Sequence, residues 1–308
     1  LKTFLGIEIG GSKLQLLVGD ASAKIIERCR LSVDPQRGAE GIRGQITDNL
    51  PGLLKKFDIA AIAVGFGGPV DRRTGRIARS HQIEGWSDFD LQRWLRDLSR
   101  KPVLIDNDAN MGALGEALHG AGKGSDPVFY VTLGSGVGGG LVVNGEIYHG
   151  AAPGESEIGH LRLDRAGTIV EHRCSGWAVD RKIRESKKSG RRSVLAELIG
   201  NADRGEARFL AKALEAKDSE ADRILHETAD DLAFALSHVT HLFHPEVIVI
   251  GGGLSLVGEP LRAAVSQALS RYLMKVFGHG PAVRLAGLGE DSVPVGCLAA
   301  AILRDAHD

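Results

Sequence analysis

Phe4-Leu5-Gly6-Ile7-Glu8-Ile9-Gly10-Gly11-Ser12-Lys13-Leu14-Gln15-Leu16-Leu17-Val18 is two short apolar runs joined by a glycine turn. Strand, glycine turn, strand is a hairpin and not a strand-to-helix crossover, so the sheet it starts is antiparallel at this end. The same arrangement recurs further along. Residues 128–133 are apolar, Gly134-Ser135-Gly136-Val137-Gly138-Gly139-Gly140 is a glycine turn, and residues 141–143 resume the apolar run. Asn144-Gly145 then turns the chain into Ile147-Tyr148, a strong hairpin signal. Helices and further strands follow each hairpin. The reading is an α/β protein of two lobes of similar design with a cleft between them, a structural echo rather than a sequence repeat.

Working outward, residues 24–33 read as a third strand. Residues 38–57 carry Ile42, Ile46, Leu50, Leu53 and Leu54 at helical spacing, with Pro51 expected to bend or interrupt the helix. Residues 59–64 form a buried strand that runs into Gly65-Phe66-Gly67-Gly68-Pro69. A short amphipathic helix covers 91–98. A strand at 103–105 ends in Asp106-Asn107-Asp108-Ala109-Asn110, and 111–118 is helical. Helices dominate 178–243. A strand at 246–250 ends in Gly251-Gly252-Gly253, a helix covers 260–277, a strand 283–285, and a last helix 296–306.

At 308 residues the chain suits two lobes of ordinary domain size. The formal net charge of −1 gives no basic field to draw it to nucleic acid or to an anionic membrane. Three widely spaced cysteines, Cys29, Cys174 and Cys297, make no disulfide framework and fit a reducing cytoplasm. No signal peptide and no membrane-spanning run is read.

Three glycine turns, each at a strand end, are the first candidates for chemistry. At Glu8-Ile9-Gly10-Gly11-Ser12-Lys13, backbone N–H groups can face a phosphate because no Cβ blocks the approach. Lys13 would add positive charge there, and Glu8 would hold a hydrated Mg²⁺. A hairpin with an exposed lysine accounts for this turn equally well. Thr132-Leu133-Gly134-Ser135-Gly136 sets hydroxyls beside glycines, as a β/γ-phosphate cradle needs, and Gly251-Gly252-Gly253 would let an adenosine lie against backbone. One glycine-rich loop is weak evidence; three in this order are harder to explain as turns alone. The spacing is neither a Walker A loop nor a dinucleotide fingerprint.

Asp106-Asn107-Asp108-Ala109-Asn110 lies where a strand ends and a helix begins, the usual ligand side of an α/β sheet. Helix capping explains one Asp or Asn there, and four polar residues in five exceed that need. A carboxylate in this place can accept the proton of a sugar hydroxyl as it attacks a γ-phosphate. Glu155-Ser156-Glu157-Ile158-Gly159-His160 offers carboxylates and an imidazole to sugar hydroxyls, or is a solvated loop. His160, His172 and Cys174 fit no strong zinc spacing.

Taken together these segments, with Gly68-Pro69-Val70-Asp71, Glu157-Ile158-Gly159-His160 and Val249-Ile250-Gly251-Gly252-Gly253, resemble the ROK family of bacterial sugar kinases and transcriptional repressors, in order over nearly the whole chain. The resemblance implies an actin-like ATPase (ribonuclease H-like) fold. It implies an N-terminal lobe at 1–118 completed by the C-terminal helix at 294–308, and a C-terminal lobe at 119–293. It implies ATP and Mg²⁺ as cofactors and a hexose or hexose derivative as the small-molecule partner. Asp108 would be the general base. Asn107, Glu157, His160 and the loop at Gly67 and Gly68 would bind sugar. Gly10, Gly11, Ser12 and Lys13, with Thr132, Gly134, Ser135 and Gly136, would hold phosphates, Glu8 would serve the cofactor through its Mg²⁺, and Gly251, Gly252 and Gly253 would hold the nucleoside. A homodimer is suggested by the resemblance alone.

Two departures from the family pattern stand out. The segment that would carry a cysteine zinc site reads Val170-Glu171-His172-Arg173-Cys174-Ser175-Gly176-Trp177. Val170, His172 and Trp177 fall on its cysteine positions, so no structural zinc is expected and Trp177 is expected to pack apolar surface. The family's next sugar-binding Glu falls on Val179. Asp180 is its candidate substitute, although one residue turns a helical side chain by about 100°. The second departure is His81-Gln82 ahead of Ile83, where many members have Asn.

A sugar kinase is the favoured reading. A DNA-binding regulator would need a helix-turn-helix for which there is no room before Phe4. A sugar sensor without catalysis would leave Asp108 idle. A hydrolytic ATPase would leave Glu157 and His160 without purpose.

Overall fold

The computed structural model describes residues 2–78, 84–151, 156–190 and 192–307. Two compact units result, one of residues 1–123, 140–156 and 290–308, the other of 124–139 and 157–289. Residues 140–156, expected in the C-terminal lobe, group with the first unit.

The first part of the chain folds as β1 (Thr3–Ile9), β2 (Lys13–Gly19), β3 (Ile25–Ser32), α1 (Gly38–Lys56), β4 (Ile59–Phe66), the short pair β5 (Val70–Asp71) and β6 (Arg76–Ile77), α2 (Leu91–Ser99), β7 (Val103–Asn107) and α3 (Asp108–His119). Its main sheet has the order β3-β2-β1-β4-β7. β1 pairs antiparallel with β2 and parallel with β4, which pairs parallel with β7. β1 is buried along nearly its whole length and reads as a continuous apolar run, as a central strand must. β3 lies at the edge and is only partly buried, with Ile26, Arg30 and Ser32 exposed. On α1, Ile42, Ile46, Leu50 and Leu53 face the core. The helix runs unbroken through Pro51, because Pro51 is exposed and the carbonyl it leaves unpaired can turn to water. Phe66, Trp86 and Phe89 stack edge to face at 5.4 and 5.5 Å.

The chain continues as β8 (Val128–Leu133), β9 (Val137–Val143), β10 (Glu146–Ile147), α4 (Val170–Cys174), α5 (Gly176–Lys188), α6 (Val194–Ile199), α7 (Leu210–Glu215), α8 (Ser219–Phe243), β11 (Val247–Gly251), α9 (Glu259–Tyr272), β12 (Ala282–Leu285) and α10 (Ser292–His307). The second sheet has the order β10-β9-β8-β11-β12. Each sheet thus runs third, second, first, fourth and fifth strand of its set, which is the echo expected from the two hairpins. β9 begins at Val137, so Gly138, Gly139 and Gly140 are strand and not turn. The long helical region is divided by caps at Ser175, Ser193 and Asp218. α9 stops at Tyr272, short of the expected 277, where Leu273 turns extended and the Met274 N–H donates to His241 Nε2 at 3.2 Å.

α10 returns to the first unit and packs on β1, β4 and α3. The approach is close enough that a Cβ on Gly296 would lie 1.7 Å from the Met111 carbonyl oxygen. The Ser292 hydroxyl donates to Glu116 Oε1 at 2.7 Å, and Glu116 Oε2 accepts from the Ala121 N–H at 2.8 Å. No helix among the described residues is long and apolar enough to cross a membrane.

Candidate active site

β7 delivers Asp106-Asn107 to the first turn of α3, which starts at Asp108. Asn107 is the cap: its Oδ1 accepts from the Ala109 N–H at 2.8 Å and from the Asn110 N–H at 3.4 Å, while its Nδ2 donates to the Gly68 carbonyl at 3.2 Å. Asp106 is buried. Its Oδ1 accepts from the Asn107 N–H at 2.8 Å and from Asn110 Nδ2 at 2.9 Å. These three polar residues bond to one another and to the backbone of the turn. Asp108 is the fourth. It is half-buried, at the helix start where a carboxylate is favoured, and its Oδ1 accepts from the Ala109 N–H at 2.9 Å. Gly67 lies beneath it, and a Cβ there would stand 3.4 Å from Asp108 Oδ2. The Gly68 carbonyl orients the Asn107 amide.

The first glycine turn closes through the Gly10 N–H to the Lys13 carbonyl at 2.9 Å. Lys13 and Glu8, read in the sequence as serving phosphate and Mg²⁺ separately, pair with each other at 3.2 Å. Glu8 Oε2 also accepts from Gln15 Nε2 at 2.6 Å. Gln15 is fully buried and takes Arg28 and Arg30 on its Oε1. Sequence reading passed over Gln15; the signal was a polar side chain amid an apolar strand, opposite Glu8 in the register. A carboxylate has about four lone-pair positions, so Glu8 keeps acceptor capacity for the water shell of a Mg²⁺.

In the second unit, the turn after β8 is gripped from three sides. The Gly176 N–H donates to the Gly134 carbonyl at 2.7 Å, the Val137 N–H donates to Glu171 Oε2 at 3.0 Å, and a Cβ on Gly159 would lie 2.1 Å from the Val137 carbonyl oxygen. Gly134 itself has open space where a side chain would be, and Ser135 is exposed. Thr132 is half-buried at the end of β8. Gly251 and Gly252 have a packing reason to be glycine, since a Cβ would strike Tyr130 or the Leu133 backbone; Gly253 faces open space. Glu157 and His160 flank the buried Ile158-Gly159 and pair at 3.4 Å, both well exposed. Glu155 and the His81-Gln82 departure lie outside the described residues.

Two expectations about 170–180 are corrected. Trp177 does not pack apolar surface: it is 65% exposed, because α5 turns Ala178, Val179 and Ile183 inward and leaves Trp177 on the outer face. Asp180 is not poised for a ligand. It is buried, and its two oxygens accept from the Gly205 N–H at 3.2 Å and the Ala207 N–H at 2.7 Å. Val179 is fully buried. A zinc site does not fit this segment either. Val170 and Cys174 are buried, and burial, with the Asp231 charge adding to it, pushes the Cys174 thiol up to about 12. What holds the segment is ionic: Arg173 donates to Asp231 at 2.9 Å, and Lys182 donates to Thr228 Oγ1 at 2.9 Å with Asp231 3.9 Å away.

Known proteins resemble this chain over nearly its whole length. The ROK family model matches residues 4–305. A glucokinase of Halalkalibacterium halodurans is 31% identical over 95% of this chain and 93% of its own length. A glucokinase of Thermotoga maritima is 28% identical over 98% and 97%. Among solved structures, a ROK family glucokinase from Streptomyces griseus in complex with glucose and AMPPNP superposes with a TM-score of 0.82 at 28% identity, covering 97% of this chain and 99% of that one.

Proposed function

The chain belongs to the ROK family, and from that premise we infer an ATP-dependent kinase that phosphorylates a hexose or hexose derivative. The observation that carries the chemistry is Asp108. It is a half-buried carboxylate at a helix start, standing over Gly67 beside an Asn107 whose amide is fixed at both ends. A general base needs a carboxylate held where it comes within hydrogen-bond reach of the hydroxyl proton it takes.

In the proposed mechanism Asp108 accepts the proton of one sugar hydroxyl. The resulting oxygen attacks the γ-phosphorus of ATP in line, the bond from that phosphorus to the β-bridging oxygen breaks, and ADP leaves. Asn107, Glu157, His160 and the Gly67-Gly68 loop orient the sugar. Backbone N–H groups at Gly10 and Gly11 and around Gly134 to Gly136, with Ser12, Lys13, Thr132 and Ser135, receive the phosphates and offset the charge that develops on them. Mg²⁺, when bound with ATP, neutralises phosphate charge, and Glu8 is the side chain to hold its water shell. Gly253 is the open position of the third turn and receives the nucleoside. Glucose is the first sugar to test, since the relatives named above are glucokinases.

The test is a coupled ADP-release assay with Mg-ATP against a panel of hexoses and N-acylated hexosamines, wild type beside Asp108→Ala. Sugar-dependent release that disappears in the variant supports the reading and names the sugar. ATP binding without release for any sugar overturns it in favour of a sensor.

A further inference from the structure

One buried polar contact beside the catalytic turn has no part in that mechanism. His149, two residues past β10, brings Nε2 to 2.5 Å from Asp106 Oδ2, with side chains 14% and 5% exposed. Both residues lie in the first unit. The other oxygen of Asp106 holds the Asn107 N–H and the amide of Asn110. Asn110 is fully buried and its Oδ1 lacks a hydrogen-bond partner, so Asp106 is what fixes its amide. Asn107 caps α3 and is anchored to Gly68. A continuous line of contacts thus runs from His149 through Asp106 to Asn107, the residue before Asp108.

We propose that His149 is a positioning residue: by pairing with Asp106 it sets the turn that aims Asp108 at its substrate. This rests on Asp108 being the base. A carboxylate as buried as Asp106 requires a partner, and removing only one member of such a pair leaves an uncompensated charge. Asp106 would then swing toward water or toward other donors, and the Asn107 N–H and Asn110 amide it holds would move with it. Displacement by about 1 Å at a reacting group can lower turnover about 100-fold. The contact that moves is to the base and not to nucleotide, so the loss falls on kcat and leaves KM for ATP near its wild-type value.

The experiment compares His149→Ala, His149→Gln, Asp106→Asn and the double variant His149→Ala/Asp106→Asn in the full chain, by steady-state kinetics and thermal melting. His149→Ala is expected to lose about 10–100-fold in kcat. Glutamine, which keeps an N–H donor, is expected to restore most of it. The double variant, which removes the stranded charge, is expected to lose less than the product of the single losses. A His149→Ala enzyme with kcat within twofold of wild type overturns the proposal. So does an equal loss in the alanine and glutamine variants that follows an equal fall in melting temperature. Failure of the underlying reading shows separately, as Asp108→Ala turning over like wild type, and it removes the role given to His149 as well.

Discussion

At the scale of single residues, the turn at 106–110 separates building from chemistry. Asp106, Asn107 and Asn110 bond to each other and to backbone, and Asp108, which also accepts from the Ala109 N–H, is the proposed base, so substitution there is expected to cost turnover. Asp108→Ala is expected to lower kcat by about 10²–10⁴ with little change in melting temperature, measured by ADP release and calorimetry on one preparation. Asp180 should behave in the opposite way. Its buried carboxylate accepts from two backbone N–H groups, so Asp180→Ala is expected to cost about 1–3 kcal/mol of stability while KM for sugar stays within a few-fold. A large rise in that KM with unchanged stability would return Asp180 to the sugar site. The polar turn at 106–110 was legible in the sequence because four polar residues at a strand end exceed what one cap needs. The roles of Asp180 and Trp177 were not, because they depend on the phase of α5, and a helix start displaced by one residue redirects each side chain by about 100°.

At the scale of elements, glycine patterns carried the most information. A turn that must leave backbone N–H groups open excludes Cβ atoms, and so does a crossing of two helices, and the sequence does not distinguish the two causes. Gly134 and Gly253 face open space, whereas Gly251, Gly252 and Gly296 are pressed against neighbours. Gly296→Ala is accordingly expected to destabilise by about 3 kcal/mol or more, since a methyl there meets the carbonyl of Met111 with no side chain to move aside; a denaturant midpoint equal to wild type would contradict the packing of α10 on α3. The pairing of His149 with Asp106 was invisible because a lone histidine just past a hairpin carries no pattern. For α4 and α5, the ionic contacts of Arg173, Lys182 and Asp231 predict indifference to zinc. A zinc-selective chelator that spares Mg²⁺ is expected to leave the melting temperature unchanged, and a clear fall, or stoichiometric zinc in the purified protein, would refute this.

At the scale of the whole molecule, two buried thiols report on the two units separately. Cys297 lies in the first unit and Cys174 in the second, both fully buried with their thiols pushed above the ordinary range by burial. The thiolate is the reactive form, so neither is expected to alkylate in native protein at pH 8, and each should label once denaturant opens the unit around it; native labelling of either, read by mass spectrometry, would contradict the burial. The same shift sets an alkaline limit. The folded Cys174 value of about 12 stands above the ordinary 9.0, so its contribution is whole below about pH 9 and is lost as pH rises toward 12. Cys174→Ala should flatten that part of the decline. A different consequence follows from α10 lying on β1 and α3 while following residues 124–289 in the chain. On the ribosome, the strands of the first unit emerge long before the helix that covers them. At about 5–20 residues per second, residues 124–289 keep that surface waiting for roughly ten to thirty seconds. The nascent chain therefore passes through a stage in which β1 and β4 lack the helix that covers them, and a cell short of holding chaperones should lose this protein at synthesis rather than afterwards.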